Sequence, residues 1–204
     1  MQLYCAPGTI SVAVAIALHE AGIEHEKVQL DFRAAEQTRP AYHQINPKGR
    51  VPALVVPGGI LTETGALLEF IADSAPDKGL VPADPLLRAR MREVMYYLAS
   101  TMHVNHAHKL RGARWADRAD SWADMTAKVP ETMTASATYV ETNGLRGPFV
   151  LGEAVSIADC YLYVVTGWLE GDGVDLEPFP KIRAFRAEME ARASVQAVKA
   201  AGQL

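Results

Sequence analysis

An α/β domain of order βαβαββα followed by an all-α domain is the fold class this chain predicts. Strand-type runs stop before a proline-rich segment. Helical periodicity alone follows that segment, and a Pro-Gly-Gly turn joins the last two strand runs. These observations divide the 204 residues into a first domain at 1–75, a linker at 76–85 and a helical domain at 86–204.

Gln2-Leu3-Tyr4-Cys5 reads as a short strand, ended by Ala6-Pro7-Gly8. Ser11 has the chemistry of an N-cap and Gly22 that of a C′ residue, which bounds a helix over Val12–Ala21. Val12 to Leu18 is apolar throughout, so this helix should be buried between layers rather than face water on one side. Glu24 to Leu30 forms a second strand with Val28 and Leu30 on one face, completing a right-handed β-α-β unit. Asn46-Pro47 and Lys48-Gly49 are turn chemistry, and Pro52 opens the β-type run Ala53–Val56, where a missing N–H costs no ladder bond. A proline here can be cis, which would present the main chain of Val51. Pro57-Gly58-Gly59 returns the chain through Ile60-Leu61-Thr62 as a hairpin. Glu63-Thr64 then stands at the start of an apolar helical pattern, Ala66, Leu67, Phe70 and Ile71, and helix starts attract anions.

Ala75 to Pro85 holds three prolines in eleven residues and reads as the boundary. Beyond it, Leu86–Arg111 carries Met91, Val94, Met95, Leu98 and Met102 at three- and four-residue spacing. A second long helix is expected over Ala119–Glu141, with Pro130 placed to kink or divide it. Ser156 and Asp159 form a capping box at the start of another helix, with Asp in place of Glu. Ile182, Phe185 and Met189 form the stripe of the last helices.

Bulk properties exclude several classes. Hydrophobic residues at 49%, charged residues at 22% and a net charge of −4 describe an ordinary globular chain, not a general nucleic-acid binder. No apolar run reaches about 18 residues, so no membrane partner is expected. Cys5 and Cys160 lack disulfide or zinc-ligand spacing, and with no leader-like start the expected location is the cytoplasm.

The segment Asn46-Pro47-Lys48-Gly49-Arg50-Val51-Pro52-Ala53-Leu54, followed by Glu63-Thr64, resembles the glutathione-binding half of cytosolic glutathione S-transferases, closest to their bacterial beta-like branch. The strand and helix order is that of their thioredoxin-like domain, and the capping box is a hallmark of their helical one. The resemblance implies glutathione as co-substrate, with no metal, and a small hydrophobic electrophile as second substrate. It implies that Glu63 and Thr64 hold the γ-glutamyl end and that Val51 beside Pro52 offers its main chain to the cysteinyl part; Arg33 and Lys48 are placed to reach the glycyl carboxylate, and Arg50 is a further glutathione-binding candidate. His103 matches a histidine lining the cleft. A homodimer follows from the same resemblance.

One position departs from the beta-like pattern: Ile10 stands where a cysteine precedes the serine, so no mixed disulfide forms there. Thiol activation must come from elsewhere. Making most of a thiol of pKa near 8.5 ionised at pH 7 takes about two pKa units, roughly 2.7 kcal/mol. One hydroxyl bond to a charged acceptor, about 1.5–3 kcal/mol, together with a helix dipole is enough. Ser11 is the first candidate donor, Thr9 the second, and Cys5 is either a buried small side chain or a thiol facing the site. His103, His106 and His108 do not share one helix face, which argues against a metal site. Met102, Trp115 and Trp168 are candidates for an apolar second pocket. The leading activity is conjugation of glutathione to electrophiles. The alternatives are glutathione-dependent reduction of peroxides or disulfides, or a non-catalytic ligand-binding homologue.

Overall fold

The computed structural model describes residues 1–204. In the first unit, β1 (Gln2–Cys5), α1 (Ser11–Ala21) and β2 (Glu26–Gln29) form the β-α-β unit. After α2 (Pro40–His43) come β3 (Ala53–Val56), β4 (Gly59–Thr62) and α3 (Thr64–Ser74). The sheet order is β2-β1-β3-β4. β1 runs parallel to β2 and antiparallel to β3, which is antiparallel to β4. This is the thioredoxin-like order expected. The helix between β2 and β3 is the weakest element: a 3₁₀ turn at Glu36–Thr38 and the four-residue α2. Pro40 starts α2, and Pro47 disfavours helical geometry at Asn46, so the helix has no room to lengthen.

α1 is the core of this unit. Val12 through Leu18 are all fully buried, and the helix packs on β1, α3 and α9 (Ala193–Ala200). Gly22 ends it at φ 66°, its N–H reaching the carbonyls of His19 and Leu18. The start differs from expectation. Ile10, with helical φ and ψ, occupies the N-cap position and makes no side-chain cap bond. The Ser11 hydroxyl instead turns back to the preceding loop, because its side chain lies inside the unit.

The chain divides into Met1–Ala83 with Met189–Leu204, and Asp84–Glu188. The expected helical domain at 86–204 therefore loses its last residues to the first unit. The physical reason is α1: a helix apolar all round needs cover on more than one side, and α9 supplies Ser194, Val195 and Val198 as buried residues. A polar clasp closes the junction. Arg192 donates to both carboxylate oxygens of Glu20, Nε to Oε1 at 2.5 Å and Nη2 to Oε2 at 2.7 Å, and Ser194 Oγ donates to Oε1 at 2.5 Å.

The second unit is helical. Asp84 caps α4 (Pro85–Tyr97), accepting the Leu87 N–H at 2.8 Å. A π-helical turn at Leu98–Met102 leads into α5 (His103–Arg111). The stripe Met91, Val94, Met95, Leu98 and Met102 is buried as its spacing predicts. α6 (Ala119–Tyr139) runs through Pro130 without dividing, since that proline lies on the exposed side where water takes up the carbonyl it leaves free. α7 (Ile157–Thr166) begins with the capping box. Asp159 accepts the N–H and hydroxyl of Ser156, both at 2.7 Å, and the Val150 N–H at 2.8 Å. Burial pushes its carboxyl up to about 6 against the pull of those donors. Both Glu141 oxygens accept the first N–H groups of α8 (Pro180–Glu190). No helix is long and apolar enough to cross a membrane.

Glu20 supplies a test of the clasp. Burial raises its pKa, yet the bonds from Arg192 and Ser194 outweigh burial and hold it below 4.5. A lowered carboxyl contributes stability above its unfolded pKa and loses it as pH falls through the folded one. Glu20→Gln should therefore cost about 2–3 kcal/mol at pH 7. The gap to wild type should close below about pH 4.5 in denaturant melts across pH.

Candidate active site

Strand register brings the candidate residues to one end of the sheet. Tyr4 pairs with Ala53, and Ala53 with Thr62. Cys5, the last residue of β1, pairs with Gln29. The loop after β1, the Val51-Pro52 step before β3, the Glu63-Thr64 start of α3 and the turn containing Arg33 therefore leave the sheet at the same end.

In the loop after β1, Ser11 Oγ accepts the Ala6 N–H at 3.1 Å and donates to the Ala6 carbonyl at 3.2 Å. Thr9 Oγ1 donates to that carbonyl at 2.7 Å and lies 2.7 Å from Ser11 Oγ. Ser11 is fully buried and Thr9 half-buried. Of the two hydroxyls, only that of Thr9 belongs to a partly exposed residue. The Ile10 N–H has no partner within the chain, and it lies at the positive end of α1. The Ile10 side chain is buried.

Before β3, the Val51–Pro52 peptide is cis. The Val51 N–H and C=O form no hydrogen bond within the chain. The residues that hold this edge were not singled out from the sequence. Tyr42 donates its hydroxyl to the Arg50 carbonyl at 2.7 Å, and Asn46 Nδ2 donates to the same oxygen at 2.6 Å. Both side chains are buried, and burial raises the Tyr42 phenol to about 12, so it stays a donor at any physiological pH. Tyr42 follows Pro40 by two residues in a segment with no strong periodicity, and only the tertiary structure reveals its target.

At the start of α3, Thr64 is buried while Glu63 is exposed. Glu63 adopts φ 73° and makes no capping bond, so the first N–H groups of α3 stay open. Lys48 Nζ reaches Glu63 Oε1 at 2.6 Å and Thr62 Oγ1 at 2.7 Å. The structure thus joins Lys48, Glu63 and Thr64 as neighbours. Arg33 and Arg50 carry exposed side chains.

Two of the candidates are buried. Cys5 is 1% exposed, its thiol pushed up by burial although Gln203 and Lys27 pull it down, and it is no site nucleophile. Met102 is fully buried and lines no open pocket. His103 and His106 both pack on Trp168, while His108 does not. His106 Nδ1 lies 2.7 Å from buried Asp172, the His103 ring packs 5.0 Å from Trp168, and His108 meets Trp115 edge-on. No three His, Cys, Asp or Glu side chains gather as a group fit for a metal ion.

Comparison with known proteins matches residues 1–73 to the glutathione S-transferase N-terminal domain and residues 113–188 to the C-terminal domain. Glutathione S-transferase GstA of Escherichia coli O157:H7 is 31% identical over 96% of both chains. The chain belongs to the glutathione S-transferase family. A crystal structure of a glutathione transferase homologue from Sulfitobacter, with bound glutathione, matches this transferase at TM-score 0.98 and 61% identity. That match covers 100% of this chain and 98% of the other. Maleylpyruvate isomerase of a Ralstonia species is 28% identical over 84% of this chain and 83% of its own.

Glu63 shows this transferase's site opposing its stability. A non-glycine residue at such a φ costs on the order of 1–3 kcal/mol, while a half-exposed ion pair such as that with Lys48 contributes about 0–1 kcal/mol. Glu63→Gly should melt about 1 kcal/mol higher in calorimetry, despite losing the ion pair.

Proposed function

We propose that this enzyme binds glutathione at the end of the sheet and ionises its thiol for attack on a small electrophile. The observation that carries the reading is the unpaired main chain of Val51, flanked by the unpaired Ile10 N–H before α1 and the open start of α3. A peptide can dock its own N–H and C=O against such an edge. The γ-glutamyl carboxylate then meets the Thr64 hydroxyl and the N–H groups of α3, and its ammonium meets Glu63. Lys48, released from Glu63, or Arg33 takes the glycyl carboxylate. The exchange is inexpensive because the Lys48–Glu63 pair is solvent-exposed on both sides.

This docking runs the cysteinyl group toward the start of α1. Thr9 has one hydroxyl hydrogen, now aimed at the Ala6 carbonyl. Turned to a thiolate, it leaves Oγ1 as an acceptor for Ser11, whose own hydrogen lies within reach at 2.7 Å. Ser11 thus supports Thr9, and Thr9 supports sulfur. The thiolate forms a C–S bond with the electrophile. Either a leaving group departs with the displaced electron pair, or a conjugated C=C passes its electrons to a carbonyl and takes a proton from water.

Relatives named as isomerases favour a second reading on the same thiolate. Addition to a conjugated C=C, rotation and elimination of the thiolate would change geometry and return glutathione unconsumed. The assays separate them: a conjugate that accumulates supports the first reading, and isomerised product at constant glutathione supports the second. A cytoplasmic homodimer is part of the proposal, resting on the family likeness. Sedimentation should give twice the chain's 22.1 kDa at micromolar concentration, and a particle of single-chain mass would sink that part.

The thiol roles are tested by titrating bound glutathione. Thr9→Val should raise its pKa by about one unit or more. Ser11→Ala should raise it less, while costing about 1 kcal/mol of stability through the buried loop bonds. A Thr9→Val enzyme whose bound thiol titrates as in wild type would refute the assignment.

A further inference from the structure

The loop that carries Thr9 is tied at one point to a distant part of the chain. α9 ends in a Schellman motif, with Gly202 at φ 68°, its N–H on the Lys199 carbonyl at 2.9 Å and the Gln203 N–H on the Val198 carbonyl at 3.1 Å. That turn delivers Gln203 to the interior, where it is 3% exposed. Its carbonyl accepts the Gly8 N–H at 2.9 Å, and its Nε2 donates to Cys5 Sγ at 3.2 Å. Lys27 of β2 holds the Ala201 carbonyl at 2.8 Å. Gly8 itself sits at φ 67°, immediately before Thr9.

We infer that Gln203 is a positioning residue for thiol activation, and that the turn after α9 is a strap that sets where the Thr9 hydroxyl points. The second half of the loop is fixed from within, by Thr9 and Ser11 on Ala6. Its first half is fixed by Gln203, which grips both Cys5, the residue before Ala6-Pro7, and Gly8 after them. Hydrogen bonds weaken steeply with distance and angle, so a loop displaced by a fraction of an ångström loses much of the Thr9 contribution. This also gives the buried Cys5 a role as an acceptor, in place of a thiol facing the site. The inference rests on the reading that Thr9 faces the bound thiol.

Two substitutions at Gly202 isolate the strap. A side chain there meets nothing within 4 Å, so only the positive φ opposes it. Asparagine tolerates that conformation and valine does not. In Gly202→Val the bound thiol pKa should rise by about half a unit or more, about a threefold loss of thiolate near the midpoint. The kcat should fall with it, while the KM for glutathione stays within about twofold, because Val51, Glu63 and Thr64 are untouched. Gly202→Asn should restore both, and Cys5→Ser, which keeps an acceptor for Gln203, should behave as wild type where Cys5→Ala does not. Melting is recorded for each. If Gly202→Val binds glutathione with an unchanged thiol pKa, whether or not it melts lower, the strap has no positioning role. If wild type itself shows no depressed thiol pKa, the reading of Thr9 falls and the inference with it.

Discussion

Everything in the first unit depends on covering α1. Its seven consecutive buried residues leave no face for water, and an uncovered apolar stripe would forfeit about 25 cal/mol for each Å² left wet. The sheet covers part of it through β1, and α3 and α9 cover more. That demand recruits the segment after Glu188 back to the unit it left. The Glu20 carboxylate, on the last turn of the same helix, then finds Arg192 and Ser194 as its partners.

A helix buried along its length meets solvent chiefly at its ends, and the proposed site lies at one of them. The start of α1 cannot be capped by Ser11, because that hydroxyl faces inward to Ala6. Thr9 takes up the Ser11 and Val12 N–H groups there, and the Ile10 N–H stays open. The same is true of α3, where Glu63 has a backbone that permits no cap, and of Val51, whose main chain pairs with no strand. Each of these groups would be satisfied in a structure built for stability alone. They stand together because β1, β3 and β4 stop in register, and the Val51 edge is held by two buried donors, Tyr42 and Asn46, on the Arg50 carbonyl. A rigid frame around unpaired polar groups is how a protein keeps a peptide-binding edge ready.

Local chemistry was enough for much of this. The alternation of β1 and β3, the glycine after α1, the Pro-Gly turn, the methionine stripe of α4 and the Ser156–Asp159 box each act within a few residues, where propensity and periodicity operate. Ile10 in place of cysteine was legible in the same way, as were Val51, Glu63 and Thr64 through the motif that contains them. Which of the two loop hydroxyls is buried was not legible. Thr9 and Ser11 are two residues apart with the same functional group, and nothing local distinguishes the one at the surface from the one inside.

The sequence by itself determined the order of elements and the turns that join them, because these rest on short-range sterics and hydrophobic spacing. Only the tertiary structure decided that Cys5 is an inert buried acceptor, that Tyr42 and Asn46 brace the Val51 edge, and that residues 189–204 return to the first unit. Those outcomes depend on contacts between residues far apart in the chain. Such contacts follow from which surfaces are left to cover once the local elements have formed.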